Sequence, residues 1–159
     1  MLEIRLAENA DKADVMSLYR SLVGTEGLTW SEDYPTMDDV ERDIAAKSLY
    51  IAVLDGRIIA AAGAGEDSEV SDISLLENPC CLYRVGVSRD FQRRGIAGIL
   101  LEYIKADVKK RGFDGMFFLV ARENKPALKL YEKHGFSRAG ETKMFGYEFF
   151  CYELIFKEN

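Results

Sequence analysis

Histidine is almost missing from this chain: His134 is the single copy among 159 residues. That scarcity argues against chemistries that depend on histidines, including triad hydrolysis, zinc held by paired histidines, phosphohistidine transfer and haem ligation. Cysteine is scarce too. Its three copies include the adjacent Cys80 and Cys81, which make neither a disulfide framework nor a zinc spacing, so buried small hydrophobes are the expected role and no metal is expected. No apolar run approaches the roughly 20 residues of a membrane span. The longest covers only residues 58–65. The opening Met1-Leu2-Glu3-Ile4-Arg5-Leu6 alternates charged with apolar side chains and lacks the apolar core of a signal peptide, so a cytoplasmic protein with no membrane partner is expected. Positive charge is also short. Lys and Arg number 21 against 27 Asp and Glu, and the net charge of −6 argues against a nucleic-acid partner. With no repeat, low-complexity tract or linker, and 48% hydrophobic residues, residues 1–159 are expected to form one domain.

What the chain does have is concentrated in Val85-Gly86-Val87-Ser88-Arg89-Asp90-Phe91-Gln92-Arg93-Arg94-Gly95-Ile96-Ala97, a β-branched strand end running through a polar turn into a helix. The first amides of a helix have no intrahelical acceptor and point out of its mouth, which together with the macrodipole suits an anion. Gly95, Ala97 and Gly98 would let a pyrophosphate approach closely, and Arg93 or Arg94 can add charge-assisted hydrogen bonds. Ile96, Leu100, Leu101, Ile104 and Val108 lie on one helical face, ending at Lys109-Lys110-Arg111-Gly112. Neither Gly-x-x-x-x-Gly-Lys-Ser/Thr nor Gly-x-Gly-x-x-Gly occurs, which argues against a Walker loop and a dinucleotide fold. A plain surface helix start with two solvated arginines is the alternative.

A second segment follows. Met116-Phe117-Phe118-Leu119-Val120-Ala121 reads as a buried strand, and Arg122-Glu123-Asn124-Lys125-Pro126 breaks it and starts a helix over residues 127–134, stopped by Gly135 with Phe136 as apolar closure. The first segment resembles motif A of the GNAT acetyltransferase superfamily through Gln92, Gly95 and Ala97. The second resembles motif B through Asn124, Ala127, Leu130, Tyr131, Glu132, Lys133, Gly135 and Phe136. Both occur in the family's order.

The remainder is placed by periodicity. Residues 2–6 read as a strand, and residues 11–23 as a helix with Val15, Leu18, Tyr19 and Leu22 on one face. Thr36 and Asp39 form a capping-box pattern ahead of Met37, Val40 and Ile44. Residues 49–54 and 57–64 flank the hairpin signal Asp55-Gly56. An acidic connection over residues 65–79 precedes a strand at 80–87, and residues 143–147 and 149–156 read as the last two strands. This order resembles the GNAT arrangement along the whole chain. The expected fold is α/β (α+β), a mixed, mostly antiparallel sheet of six to seven strands flanked by about four helices, with the fourth and fifth strands splayed.

The resemblance implies an acetyl-CoA-dependent N-acetyltransferase acting on a primary amine of a small molecule or peptide by direct attack in a ternary complex. It implies that Gln92, Arg93, Arg94, Gly95, Ile96, Ala97 and Gly98 hold the pyrophosphate. Val85, Gly86 and Val87 would pair with the pantetheine arm, and the Val85 amide would polarise the thioester carbonyl. Asn124 and Ala127 would bind the cofactor arm, and Tyr131 would protonate the departing thiolate, a step for which a phenol is roughly matched. A core aromatic is the other reading of Tyr131.

No general base is evident. Some relatives carry a glutamate on the fourth strand where this chain has Cys81; Glu77, or Tyr83 with ordered water, are the candidates. His134 is read as structural or exposed. Trp30 and Tyr34 are candidate walls for the acceptor, against core packing beneath a long loop. Glu26, Glu32, Asp33, Glu66, Asp67, Glu69 and Asp72 would steer a cationic acceptor, against plain solvation. Phe145, Tyr147, Phe149, Phe150 and Tyr152 could form a homodimer surface or pack across the last hairpin. The alternative function, which the missing base favours, is an acyl-CoA-binding module that senses without turnover.

Overall fold

The computed structural model describes residues 1–25, 28–66, 76–144 and 146–156. Among the described residues, seven strands and four α-helices alternate in the order β1 (Leu2–Leu6), α1 (Lys12–Ser21), α2 (Met37–Ala45), β2 (Leu49–Leu54), β3 (Arg57–Gly65), β4 (Pro79–Val87), α3 (Ile96–Lys110), β5 (Gly115–Ala121), α4 (Lys125–Lys133), β6 (Ser137–Met144) and β7 (Tyr147–Ile155). The strands form one sheet in the order β1-β2-β3-β4-β5-β7-β6. Every neighbouring pair is antiparallel except β4 and β5.

Alternation along the strands divides the core between the two faces. Ala60, Ala62 and Ala64 of β3 join Tyr50, Ala52, Phe118 and Val120 beneath α3, whose Leu100, Leu101, Ile104 and Val108 are all buried. Ala61, with Leu49 and Ile51, turns the other way against Val15, Leu18, Tyr19 and Leu22 of α1 and its C-terminal turn and Val40 of α2. Burying each large apolar side chain contributes about 1.5–3 kcal/mol, so these facing stripes fix the helices on the sheet. The capping box forms as expected: the Thr36 side chain accepts from the Asp39 amide while the Asp39 carboxylate accepts from the Thr36 amide. Asp55 and Gly56 both have positive φ, 48° and 80°, the backbone of a tight hairpin turn.

Two expectations need correction, and the last-hairpin aromatics divide between their two readings. The penultimate strand is β6 at Ser137–Met144 rather than residues 143–147, and Tyr147 opens β7. β6 is an edge strand whose side chains are mostly exposed, so it carries charge where an apolar signal would be sought. The first helix is also shorter than read from the sequence, because Asn9–Asp11 forms a 3₁₀ turn before Lys12. Of the last-hairpin aromatics, Phe150 and Tyr152 are buried core residues, while Tyr147 is exposed and Phe145 lies outside the described residues.

The sheet opens between β4 and β5. Their pairing runs Pro79 to Gly115, Cys80 to Met116 and Cys81 to Phe117, and then ends. β5 keeps its full ladder to β7 out to Ala121. β4 meanwhile carries a bulge, since Ala61 pairs with Gly86 and Gly63 with Tyr83, leaving Arg84 and Val85 opposite the single residue Ala62. Arg84 sits at φ +48°, uncommon for a residue with a side chain. A bulge bends its strand and strengthens its twist, which carries β4 away from β5 beyond the last pair.

Candidate functional site

The fork between β4 and β5 is a cleft of about 120 Å³ lined by residues 82–85 of β4, residues 118–121 of β5, Asn124, Ala127 and Tyr131 on the α4 side, residues 28–30, and Phe149. The Ser88 amide donates to the Ile59 carbonyl at 2.8 Å. By strand alternation the Gly86 amide also faces β3, which turns the Val87 N–H and C=O toward the open side of the fork. Gln92 takes that carbonyl, its side-chain amide donating to Val87 O at 2.9 Å. Gln92 thereby ties the loop to the strand end.

Beyond the strand, a 3₁₀ turn at Arg89–Phe91 leads to Gly95, which caps α3 with φ +80°. No atom lies within 4 Å of a Cβ built there, so backbone conformation rather than crowding calls for glycine. Arg93 also has positive φ, 65°. The guanidinium of Arg94 rests 5.3 Å from the Phe91 ring centroid. Gly95, Arg93 and Arg94 are exposed around the helix mouth, with Ile96 and Ala97 partly so. Gly98 is placed differently. It is buried, and a Cβ on it would lie 2.8 Å from His134 Nε2. His134 itself is held by Glu102 through Nδ1 at 2.7 Å, and so clamps α4 to α3. Gly86 has a similar explanation. A Cβ there would meet Leu22 Cδ1 at 2.6 Å and Trp30 Cη2 at 3.3 Å, so its bareness admits the wall opposite the fork.

On the α4 side, Asn124 lines the cleft and caps the helix, its Oδ1 accepting from the Ala127 amide at 3.4 Å. Tyr131 is 6% exposed and its ring lies 4.1 Å from that of Phe118 and 6.0 Å from Phe136. Burial pushes the Tyr131 phenol well above its ordinary value, so it stays protonated.

Opposite α4 the wall is made of side chains from distant parts of the chain. Trp30 packs edge-on against Tyr19 at 5.2 Å. Arg84 reaches back from the bulge, forms an ion pair with Asp43 through Nη2 and donates to the Tyr34 hydroxyl through Nη1 at 3.1 Å. Its guanidinium lies 4.4 Å from the Tyr83 ring centroid. Tyr83 lies on Gly63, and its hydroxyl donates to Asp43 Oδ1 at 3.2 Å and sits 3.1 Å from Ser48 Oγ. Burial pushes the Asp43 carboxyl above its ordinary value, against the opposing pull of Arg84 and Tyr83. Burial lowers the Arg84 pKa, and the hydrogen bond and charge of Asp43 together with Tyr34 more than offset this, so Arg84 stays charged. The sequence held one clue: Asp43 lies three residues after Val40 and one before Ile44, on the apolar face of α2, where a lone carboxylate needs a partner. Arg84 and Ser48 gave no comparable signal.

The base candidates fall apart in space. Glu77 is exposed at the closed end of β4, its amide bonded to Asp114, and Cys81 is buried at the last β4–β5 pair. Burial pushes the neighbouring Cys80 thiol up to about 12, as expected of an inert core cysteine. Glu32 and Asp33 are exposed, and Glu26, Asp67, Glu69 and Asp72 lie outside the described residues. Among the described residues no cluster of His, Cys, Asp and Glu could hold a metal ion, and no helix is long and apolar enough to cross a membrane.

The geometry agrees with what other proteins show. The chain is similar to phosphinothricin N-acetyltransferase of Streptomyces viridochromogenes, 25% identical over 153 residues that cover 92% of this chain and 80% of that protein. It is also similar to the ribosomal protein bS18-alanine N-acetyltransferase of Salmonella typhimurium, 38% identical over 58 residues, which are 36% of this chain and 39% of that protein. Among solved structures, yncA of Salmonella typhimurium, determined with its cofactor acetyl-CoA, superposes with a TM-score of 0.82 at 18% identity, covering 100% of this chain and 96% of that one. Residues 15–136 match the Acetyltransferase (GNAT) family, and the chain therefore belongs to that family of acyltransferases.

Proposed function

We propose that residues 1–159 form one catalytic domain that moves an acetyl group from acetyl-CoA to a primary amine of a small molecule or peptide by direct attack in a ternary complex. The observation that carries this reading is the fork itself, where β4 and β5 stop pairing after Cys81 and Phe117 and the cleft between them has Val85 on one side and Tyr131 and Asn124 on the other. The cleft residues fit the donor. The first-turn amides of α3 and the exposed Arg93 and Arg94 suit its pyrophosphate, Val85 and Val87 suit the amides of its arm, and the Asn124 side-chain amide reaches the same cleft. Gly86 and Gly98 contribute by what packs into their empty sides. Acetyl-CoA, when bound, supplies the activated thioester. Tyr131 then serves as proton donor toward the departing sulfur: burial keeps its phenol neutral, so it carries a proton to hydrogen-bond and pass to the thiolate as that charge forms beside it. The Val85 amide, set by the bulge, serves as the donor toward the thioester carbonyl oxygen.

A binding module without turnover is the second reading, favoured by the absence of any carboxylate among the described residues that line the cleft. Release of CoA thiol from acetyl-CoA across a panel of amines separates the two. Wild-type protein should release thiol with at least one amine, and Tyr131→Phe should lower kcat by about 100-fold at unchanged acetyl-CoA Kd. Equal, amine-independent release by both proteins would refute the enzyme.

A further inference from the structure

The acceptor end of the cleft is short of negative charge despite the acidity of the chain. Arg84 is the only charged residue among those described that line the cleft, which Trp30, Thr29, Tyr83 and Phe149 also line. Its side chain is 12% exposed, sits over the Tyr83 ring 4.4 Å from the centroid, and is held by Asp43 and Tyr34. A guanidinium carries five N–H donors, and two are used here. Nε is buried with no acceptor at all. An arginine held so firmly, partly desolvated and one residue before Val85, is preorganised for an anion beside the point of acetyl transfer. Its positive φ adds cost that the Asp43 and Tyr34 contacts must hold in place. Asp43 engages Nη2 from outside the cleft, and a polyamine would find no carboxylate among the described residues that line it.

We propose that the acceptor is a small molecule carrying a carboxylate beside its primary amine, an amino acid rather than a polyamine or an internal peptide amine, and that Arg84 is the residue that selects it. This rests on the acetyltransferase reading and narrows it. Arg84 binds substrate in this account; Asp43 and Tyr34 are positioning residues.

The test compares free amino acids with their matched carboxamides and with spermidine. Wild-type protein should favour the acid over the amide by tenfold or more in kcat/KM, mostly through KM. Arg84→Asn, in which asparagine tolerates the left-handed backbone, and the double variant Arg84→Asn with Asp43→Asn, which leaves no orphaned carboxylate, should bring that ratio close to one; Arg84→Lys should retain part of it. Spermidine or amides preferred by wild type, or an acid-to-amide ratio unchanged in folded Arg84 variants, would overturn the assignment while leaving the acetyltransferase intact. If no amine is acetylated, the parent reading fails instead, and titration of N-acetyl amino acids into the CoA-loaded protein still decides. Tighter binding than the matched amides, lost in the double variant, upholds the anion site, and equal binding refutes it.

Discussion

In the proposed reading, the donor is recognised by backbone amides, at Val87 on β4 and in the first turn of α3, with Asn124 and Tyr131 added from the start and middle of one short helix segment. At the proposed acceptor end the wall is built of side chains delivered from four separate places: Trp30 and, behind Arg84, Tyr34 from the loop after α1, Asp43 from α2, Ser48 at the head of β2, and Tyr83 with Arg84 from β4. Backbone donors look the same whatever residues carry them, so they suit a ligand common to a whole family. Side chains can differ from one chain to the next without disturbing the sheet, so specificity belongs there. The two ends meet at Val85, where the bulge both opens the fork and throws Arg84 toward Asp43.

If that division is right, the largest stability effect should come from the acceptor wall. Asp43→Ala leaves a buried arginine without its carboxylate and should cost about 3–5 kcal/mol, whereas removing both charges together should cost far less. Urea unfolding of the single and double variants reads the difference, and equal losses would show that the pair does not act as a unit. Gly86→Ala comes next. The new methyl drives into Leu22 and Trp30, which should cost about 1–3 kcal/mol and raise acceptor KM while acetyl-CoA Kd stays put. A matching rise in acetyl-CoA Kd would erase the separation between the two ends.

The same contrast explains what could be read in advance. The proposed donor end lies in two contiguous stretches, Val85 to Gly98 and Asn124 to Phe136, whose glycines, caps and apolar spacings each have a local cause. Asp43 and Arg84 are 41 residues apart, and nothing local pairs them. The Gly86 and Gly98 vacancies were visible as small residues, but what fills them, Trp30 and His134, comes from tertiary packing. β6 carries no strand signal in the sequence because an exposed edge strand bearing Arg138, Glu141 and Lys143 lacks the apolar alternation that marks β2 and β3.

The smallest expected effect lies at the start of α2, which carries Asp43. Burial raises the Asp39 carboxyl, but hydrogen bonds from the Thr36 amide and hydroxyl, with the charges of Arg84 and Arg42, outweigh it and leave it below its ordinary value of 3.8. A depressed carboxylate stabilises the fold above its unfolded value and loses that contribution as pH falls through the folded one. Asp39→Ala should therefore cost about 1 kcal/mol at neutral pH, and the gap from wild type should narrow below pH 3.8. Thermal melts at both pH values check the sign, and a gap that widened in acid would contradict the capping role.

The claim on which the rest depends is that the open edge of β4 receives the arm of acetyl-CoA while the mouth of α3 receives its pyrophosphate. Amide-resolved hydrogen exchange with acetyl-CoA and with ADP, which carries the pyrophosphate and no arm, tests it directly. With acetyl-CoA, exchange should slow at Val87 and Val85 and at Ile96 and Ala97, while Gly86, already turned to β3, should change little. With ADP only Ile96 and Ala97 should slow. Identical protection by both ligands, or β4 amides that acetyl-CoA leaves unchanged, would contradict the account.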